Sequence, residues 1–420
     1  MYPMQSLELL DTSLSARLAE EEDLDESLLR QAIGSGRMVL LHNPAHTGGR
    51  PVLIGQPASI KVNANIGTSP LMNDPNLEEA KAAAAERAGA HTIMDLSTAG
   101  DLDSIRSRLL LRNALPLGTV PIYGLAQKYI DKGHDPAALS DAELLEEIHR
   151  QAEQGVDFMT LHCGVTRRGA ALAQNGRRIM GIVSRGGAIL ARWMAANQRE
   201  NPLLEAFDAI LRICSENHVT ISLGDGLRPG AGSDAGDPAQ WEEVVTLGEL
   251  AERARQVGVQ VMIEGPGHVP LHLIQSQIQG MKRLCGQAPL YVLGPLTTDR
   301  AAGHDHIAGA IGGALAGYYG ADFLCYLTPA EHVTLPNELD VWQGVKASMI
   351  AAHSAEVALG RARAEADNDR ASSARAILDW DRLADACLDP ALARRRRGEL
   401  GHDSDACAMC GEFCAIKLLR

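Results

Sequence analysis

Aromatic side chains are scarce in this chain, with 4 Phe, 7 Tyr and 4 Trp among 420 residues. That shortage, beside plentiful Ala and Gly, argues against an aromatic-rich binding face and suits helices packed closely on strands. Positive charge is short as well: 39 Lys and Arg against 53 Asp and Glu leave a net charge of −14. A nucleic-acid surface needs a basic stripe, so none is expected, and an anionic ligand must be held by local groups. No apolar run is long enough to span a bilayer, and Met1 to Leu10 lacks the charged-then-apolar order of a secretory signal. The chain is therefore expected in the cytoplasm, where a disulfide framework is not. Cys163, Cys214, Cys285, Cys325 and Cys387 are scattered through strand-like and helix-like stretches, where small buried thiols are ordinary.

The remaining cysteines are not scattered. Cys407-Ala-Met-Cys410-Gly-Glu-Phe-Cys414 packs three thiols into eight residues. Three thiolates suit an iron–sulfur cube that keeps one iron open to a non-protein ligand. They equally suit a structural zinc site with His402 as fourth ligand. Spacing alone leaves both open.

The chain before this tail is regular. Leu7, Leu10, Leu14, Leu18, Leu24, Leu28 and Leu29 recur at helical spacing among acids, which predicts an N-terminal helical cap, and the whole cap region is taken as residues 1–90. Within it Met38–Leu41 and Val52–Ile54 read as short strands, and His42 and His46 as loop histidines. Ile60 to Ser69 reads as a strand whose end offers amide and hydroxyl donors. Over residues 91–360 eight apolar runs alternate with helical stretches: His91–Leu96, Leu117–Tyr123, Asp157–Cys163, Ile179–Ser184, Val219–Asp225, Val259–Gly265, Pro289–Gly294 and Asp322–Thr328. A final helix is predicted over Leu339–Leu359. Eight successive strand–helix units predict a closed parallel (β/α)8 TIM barrel, because right-handed crossovers wrap the helices outside. Residues 361–400 read as C-terminal helices and a solvated linker that includes Arg394–Arg397, and residues 401–420 as the cysteine-bearing tail.

A barrel makes a further prediction, since its site lies where strands end and the next loops begin. Polar residues collect there: Met94-Asp95, Tyr123, His162, Ser184-Arg185-Gly186-Gly187, Asp225-Gly226-Leu227-Arg228, Glu264-Gly-Pro-Gly-His268, Gly294-Pro295 and Glu331-His332. Ser184, Arg185 and Arg228 supply hydroxyl, guanidinium and free backbone N–H groups suited to a phosphorylated small molecule. His268 and His332 suit a mononuclear metal completed by water or substrate.

The sequence resembles the thiamin pyrimidine synthase family, the non-standard radical S-adenosylmethionine enzymes that rearrange 5-aminoimidazole ribotide. The resemblance rests on Val62-Asn-Ala-Asn65-Ile-Gly67, Met94-Asp-Leu-Ser-Thr98, Gly118-Thr-Val-Pro-Ile-Tyr123, Ser184-Arg-Gly-Gly187, Ser222-Leu-Gly-Asp-Gly-Leu-Arg-Pro229, Glu264-Gly-Pro-Gly-His-Val-Pro270 and Thr328-Pro-Ala-Glu-His332. It covers nearly the whole chain. It implies substrate contacts at Asn65, Met94, Tyr123, His162, Ser184, Arg185, Gly186, Asp225, Gly226, Leu227, Arg228, Glu264 and Tyr291. Glu264 is also taken as catalytic. The resemblance further implies a zinc or iron ion on His268 and His332, a [4Fe–4S] cluster on Cys407, Cys410 and Cys414, and S-adenosylmethionine as the radical source. Family members are homodimers whose cluster tail reaches the partner's barrel, and an electron donor such as flavodoxin or ferredoxin is implied.

Three departures fall on stretches expected near the mouth of the site. Leu41-His-Asn-Pro-Ala-His46, Arg300-Ala-Ala-Gly-His304-Asp-His306 and His332-Val-Thr334-Leu-Pro336 replace the usual Arg-Asn-Ile-Asn-His, Ile-Ala-Pro-Gly-Tyr-Asp-His and His-Leu-Gly-Leu-Pro. They suit the paralogue 5-hydroxybenzimidazole synthase, which makes the lower-ligand base of cobamides from the same ribotide. That product is the first expectation, with His304 and Thr334 as candidates for choosing it. The alternative is phosphomethylpyrimidine synthase, which makes the pyrimidine of thiamin. A zinc-dependent barrel hydrolase with His268, His332 and Asp299 around the metal is a rival of another class, and a ribotide-binding protein would leave the cysteine tail unexplained.

Overall fold

The computed structural model describes residues 4–399, 406, 407 and 409–419. It forms two compact units, Met1–Ala352 and His353–Arg420. In the first, helices Thr12–Glu22 and Glu26–Gly34 come from the leucine spacing of the sequence. Asp11 caps the first of them by accepting the Leu14 N–H at 2.7 Å. Leu18, Ala19, Leu29, Ala32 and Ile33 bury one face against Met38, Leu40 and Leu53. The last three belong to an antiparallel hairpin, β1 (Val39–Leu41) and β2 (Val52–Ile54), and the residue before it.

Eight parallel strands then close a barrel in chain order: β3 (Lys61–Ile66), β4 (Thr92–Asp95), β5 (Leu117–Thr119), β6 (Phe158–Leu161), β7 (Thr220–Leu223), β8 (Val261–Glu264), β9 (Leu290–Leu293) and β10 (Phe323–Cys325), the last pairing with β3. The expected architecture is present with one exchange of strands. Ile179–Ser184 is not a strand; Lys61–Ile66, expected within the N-terminal cap, takes the eighth place.

The exchange has a physical cause at each end. Ile179 and Met180 give their N–H groups to the Asp234 carboxylate at 2.9 and 3.1 Å, so no neighbouring strand receives them, and Ile179 is 73% exposed. Arg178 fastens the same strap with a fork on Asp237 and a bond to the Leu227 carbonyl at 2.6 Å. β3, read as a strand but not counted among the apolar barrel runs, carries Lys61, Asn63 and Asn65. Asn63 is fully buried because Thr92 donates to its amide oxygen and its amide nitrogen donates to Tyr291. Lys61 is paired at 2.7 Å with Glu22 of the first long helix, which ties the cap to the barrel.

Leu41–His46 does not approach the mouth. His46 is 2% exposed and its Nδ1 lies 2.8 Å from Asp157, the residue just before β6, so this stretch packs at the N-terminal end of the barrel. Its Nε2 lies 3.2 Å from the Asn113 carbonyl, and a ring facing two acceptors is the doubly protonated one. Burial opposes that charge, but the bond and the charge of Asp157 prevail and raise the pKa. A raised folded-state pKa stabilises below the unfolded value of about 6.5, and the contribution fades as pH climbs through the folded value. The loss in melting temperature caused by His46→Ala should therefore shrink between pH 6 and pH 9. A constant loss across that range would mean the ring is neutral.

Beyond the barrel, Glu338–Ala358 is the expected final helix. The second unit holds helices Ala362–Ala376, Trp380–Ala386 and Pro390–Gly398. Arg394–Arg397, expected as linker, form the end of the last of these. Asp389 caps it by accepting the Leu392 N–H at 2.9 Å, and Pro390 occupies its first turn. Among the described residues no helix is long and apolar enough to cross a membrane.

Candidate active site

Parallel register sets which side chains share a level at the C-terminal rim. Asn65 pairs with Met94, Glu264 with Tyr291, and Leu293 with Cys325. They surround a cleft of about 490 Å³ together with Tyr123, Thr160, His162, Asp225 and Arg228. Its floor is a polar network: Asn63 donates to Tyr291 Oη at 2.8 Å and to Asn65 Oδ1 at 2.7 Å, while Asn65 Nδ2 donates to Cys325 Sγ at 3.1 Å. Glu264 enters from β8. Its Oε1 accepts from Thr160 at 2.6 Å and from Ser222 at 2.8 Å, two hydroxyls that are neighbours in register on β6 and β7. Burial raises its pKa although both hydroxyls favour the anion. Sequence reading missed Asn63, Thr160 and Ser222 as site residues. Period-two spacing from Asn65 and the shared level of Thr160 and Ser222 are the signals that point to them.

One side of the cleft is built for an anion. Ser184 caps helix Arg185–Asn197, accepting the Gly187 N–H at 3.2 Å. The site segment thus lies at a helix start within the β6–β7 crossover, not at a strand end, and the helix dipole turns its positive end outward. Gly186 is obligatory, because a Cβ there would stand 2.3 Å from the His162 ring; at Gly187 it would stand 2.1 Å from the Gly226 carbonyl oxygen. Arg185 lies over the Tyr123 ring at 4.8 Å, and Tyr123 stacks on His162 at 6.4 Å between centroids. Burial pushes His162 down to about 3, so the imidazole is neutral. Among the described residues its Nδ1 has no hydrogen-bond partner, and neither has Asp225 Oδ2. Buried polar atoms left open in a cleft are what a bound ligand satisfies. Asp225 Oδ1 lies 3.0 Å from Arg228. The loop between them is held from behind, where Glu243 accepts the Leu227 N–H at 2.8 Å.

The residues expected to touch substrate therefore divide. Asn65, Met94, Tyr123, His162, Asp225, Arg228, Glu264 and Tyr291 line one cleft. Arg185 lines an adjoining cleft of about 740 Å³ with Asn65, Lys81, Glu331, His332 and Thr334. Ser184, Gly186 and Gly226 are not among the lining residues of either cleft. Leu227 is fully buried with its N–H already used, so neither its side chain nor that donor faces the cleft. His304 precedes helix Asp305–Tyr319 and lines neither cleft; Thr334 lines the second.

His268 and His332, from different loops, come together with ring centroids 5.3 Å apart and planes at 53°. Two imidazoles on one tetrahedral cation, about 2 Å from each nitrogen, would have centroids roughly 5 Å apart. The pair fits such an ion. Asp299 does not join them as a third ligand: it lies 2.7 Å from His268 Nδ1, and among the described residues no group of 3 or more His, Cys, Asp or Glu forms a metal cage. That removes the arrangement the hydrolase rival needs.

In the second unit, a turn closed by Gly411 N to Cys407 O at 3.3 Å and Phe413 N to Cys410 O at 2.9 Å carries the tail cysteines. His402 lies outside the described residues. The backbone N–H groups of Met409 and Cys410, with the Cys410 thiol, lower the Cys407 pKa. Burial instead pushes Cys214, Cys285 and Cys325 up to about 12, and Cys163 further. Thiolate character is what a metal ligand needs, and it is favoured at Cys407. Cys414 is buried rather than gathered beside the other two, so the donor set fits a cluster while the ligand geometry is not formed by the chain alone.

Comparison with known proteins follows this geometry. The model of the radical SAM ThiC family matches residues 9–420. Phosphomethylpyrimidine synthase of Methanopyrus kandleri is 49% identical over 409 residues, covering 96% of this chain and 95% of that protein. The phosphomethylpyrimidine synthase of Thermus thermophilus is 48% identical over 410 residues, covering 97% and 94%, and that of Desulfotalea psychrophila is 47% identical with the same coverage.

Proposed function

Because the chain belongs to the radical SAM ThiC family, whose chemistry uses S-adenosylmethionine and an iron–sulfur cluster, we propose that it is a phosphomethylpyrimidine synthase acting on 5-aminoimidazole ribotide. The observation that carries this reading is 47–49% identity to phosphomethylpyrimidine synthases along nearly the whole chain. The 5-hydroxybenzimidazole product, the first expectation, has less support. One of the three departures that favoured it, Leu41–His46, packs at the far end of the barrel, and His304 lines neither cleft.

Cys407, Cys410 and Cys414 would hold the cluster, and His268 with His332 a divalent zinc or iron ion. When bound, the cluster supplies the electron that cleaves the sulfonium of S-adenosylmethionine to a 5′-deoxyadenosyl radical. The side chains bind and orient. Arg228 and Arg185, the latter opening the helix that Ser184 caps, take the phosphate of the ribotide. Neutral His162 presents an unpaired Nδ1, and Asp225 an unpaired oxygen, to the polar edge of the substrate. Asn65, Tyr291 and Glu264 are locked by buried hydrogen bonds, so the ribose meets fixed groups and little water. Homodimerisation and reduction by a flavodoxin or ferredoxin belong to the same proposal.

Anaerobically reconstituted protein should convert the ribotide, with S-adenosylmethionine and a strong reductant, to 4-amino-5-hydroxymethyl-2-methylpyrimidine phosphate, identified by mass. Fluorescent 5-hydroxybenzimidazole as the main product would overturn this reading in favour of the paralogue. An absence of 5′-deoxyadenosine from protein with an intact cluster would remove both.

A further inference from the structure

We propose that Asp299 and Asp305 are positioning residues that act through His268 and His332 to set a divalent-cation site. The inference rests on reading those two histidines as cation ligands. An imidazole binds a cation through one nitrogen, and the partner of the other nitrogen decides the tautomer and the ring orientation. Both partners here are carboxylates. Asp299 Oδ1 lies 2.7 Å from His268 Nδ1, and its second oxygen accepts the Gly232 N–H at 2.8 Å. One carboxylate thereby fastens the loops after β7, β8 and β9 together, and it cannot rotate without losing a bond.

Asp305 opens helix Asp305–Tyr319, is 3% exposed, and lies 3.4 Å from His332 Nδ1. Its second oxygen has no hydrogen-bond partner among the described residues, so the start of its helix and His332 are what the buried carboxylate faces. His332 has a φ of 61°, a left-handed backbone that a non-glycine residue keeps only where its surroundings dictate it. With both Nδ1 atoms facing carboxylates, Nε2 is the nitrogen each ring has left for a cation, and the rings stand 5.3 Å apart. The acids are outer partners that hold two ligands, one short of a cage, in a shared orientation.

The test is zinc affinity of the full-length chain, measured by competition with a chromophoric chelator. Asp299→Ala and Asp305→Ala are expected to weaken zinc binding by roughly 10- to 100-fold with melting temperatures near that of the unaltered protein. Asp299→Asn, whose amide oxygen still accepts from Nδ1–H, should lose less than Asp299→Ala. Should Asp305→Ala fail to fold, Asp305→Asn with cobalt is used instead, and its visible absorption should differ from that of the unaltered protein. If His268→Ala loses zinc while the aspartate variants keep full affinity, the inference is overturned and the cation site stands. If His268→Ala binds zinc as the unaltered chain does, the cation site itself falls, and the inference with it.

Discussion

Alanine at any one of Cys407, Cys410 or Cys414 should abolish 5′-deoxyadenosine formation and leave the reconstituted protein without its brown colour, while unfolding of the Met1–Ala352 unit stays unchanged. The expectation follows from where thiolate can form. Cys163, Cys214, Cys285 and Cys325 are buried, and desolvation holds them as thiols. Cys407 is drawn the other way by backbone N–H groups of its own turn. With three ligands in the tail and no fourth thiol close to them in sequence, loss of one leaves two, which do not hold a cube. The three cysteines lie outside the barrel unit, so a thermal melt of that unit serves as the internal control. Full activity from any of the three variants would mean that the tail is structural and that the cluster, if there is one, uses other ligands. Iron content and the release of 5′-deoxyadenosine are separate readouts, and both should fail together.

Legibility of the fold followed the physics that each signal reports. Strand–helix alternation is a hydropathy signal, and it found β4 to β10, whose burial patterns are almost wholly apolar or shielded. At β3 it read a strand but left it in the cap, because Asn63 and Asn65 are buried by partners from β4, β9 and β10 that no local window contains. It failed in the opposite sense at Ile179–Ser184, where an apolar run is a strap nailed down by Arg178, Asp234 and Asp237. Capping chemistry explains the third miss: a run of arginines reads as solvated linker, yet Asp389 and Pro390 start a helix beneath it. Much of the cleft lining was legible as well, because glycines and charges at strand ends have few structural reasons to occur together. What the sequence did not reveal is the supporting layer. Glu243 behind Leu227, Thr160 and Ser222 behind Glu264, and Asp299 behind His268 are joined only by tertiary contact.

Arg228→Ala should lower kcat/KM for the ribotide by roughly 10²- to 10⁴-fold, because a guanidinium bonded to phosphate makes charge-assisted hydrogen bonds worth about 1.5–3 kcal/mol each, and two are lost. Arg228→Lys keeps the charge without the fork and should fall between. The same substitution has a second signature that does not involve substrate. Asp225 lies 3.0 Å from Arg228, and burial nevertheless pushes its carboxyl up to about 8, with Glu264 adding to the rise and Arg228 opposing it. Removing Arg228 deletes the opposing charge and raises that value further. A carboxyl whose folded-state pKa exceeds its unfolded value binds more protons when folded, so stability falls as pH rises from about 4 toward the folded value. The melting temperature of Arg228→Ala should thus climb more steeply than that of the unaltered protein when pH is lowered from 8 to 5. Adding Asp225→Asn, which carries no titrating group, should flatten that difference. A variant with near-normal kcat/KM and a normal pH profile would show that Arg228 neither holds the phosphate nor balances Asp225, and the anion side of the cleft would have to be sought at Arg185 and Lys81 instead.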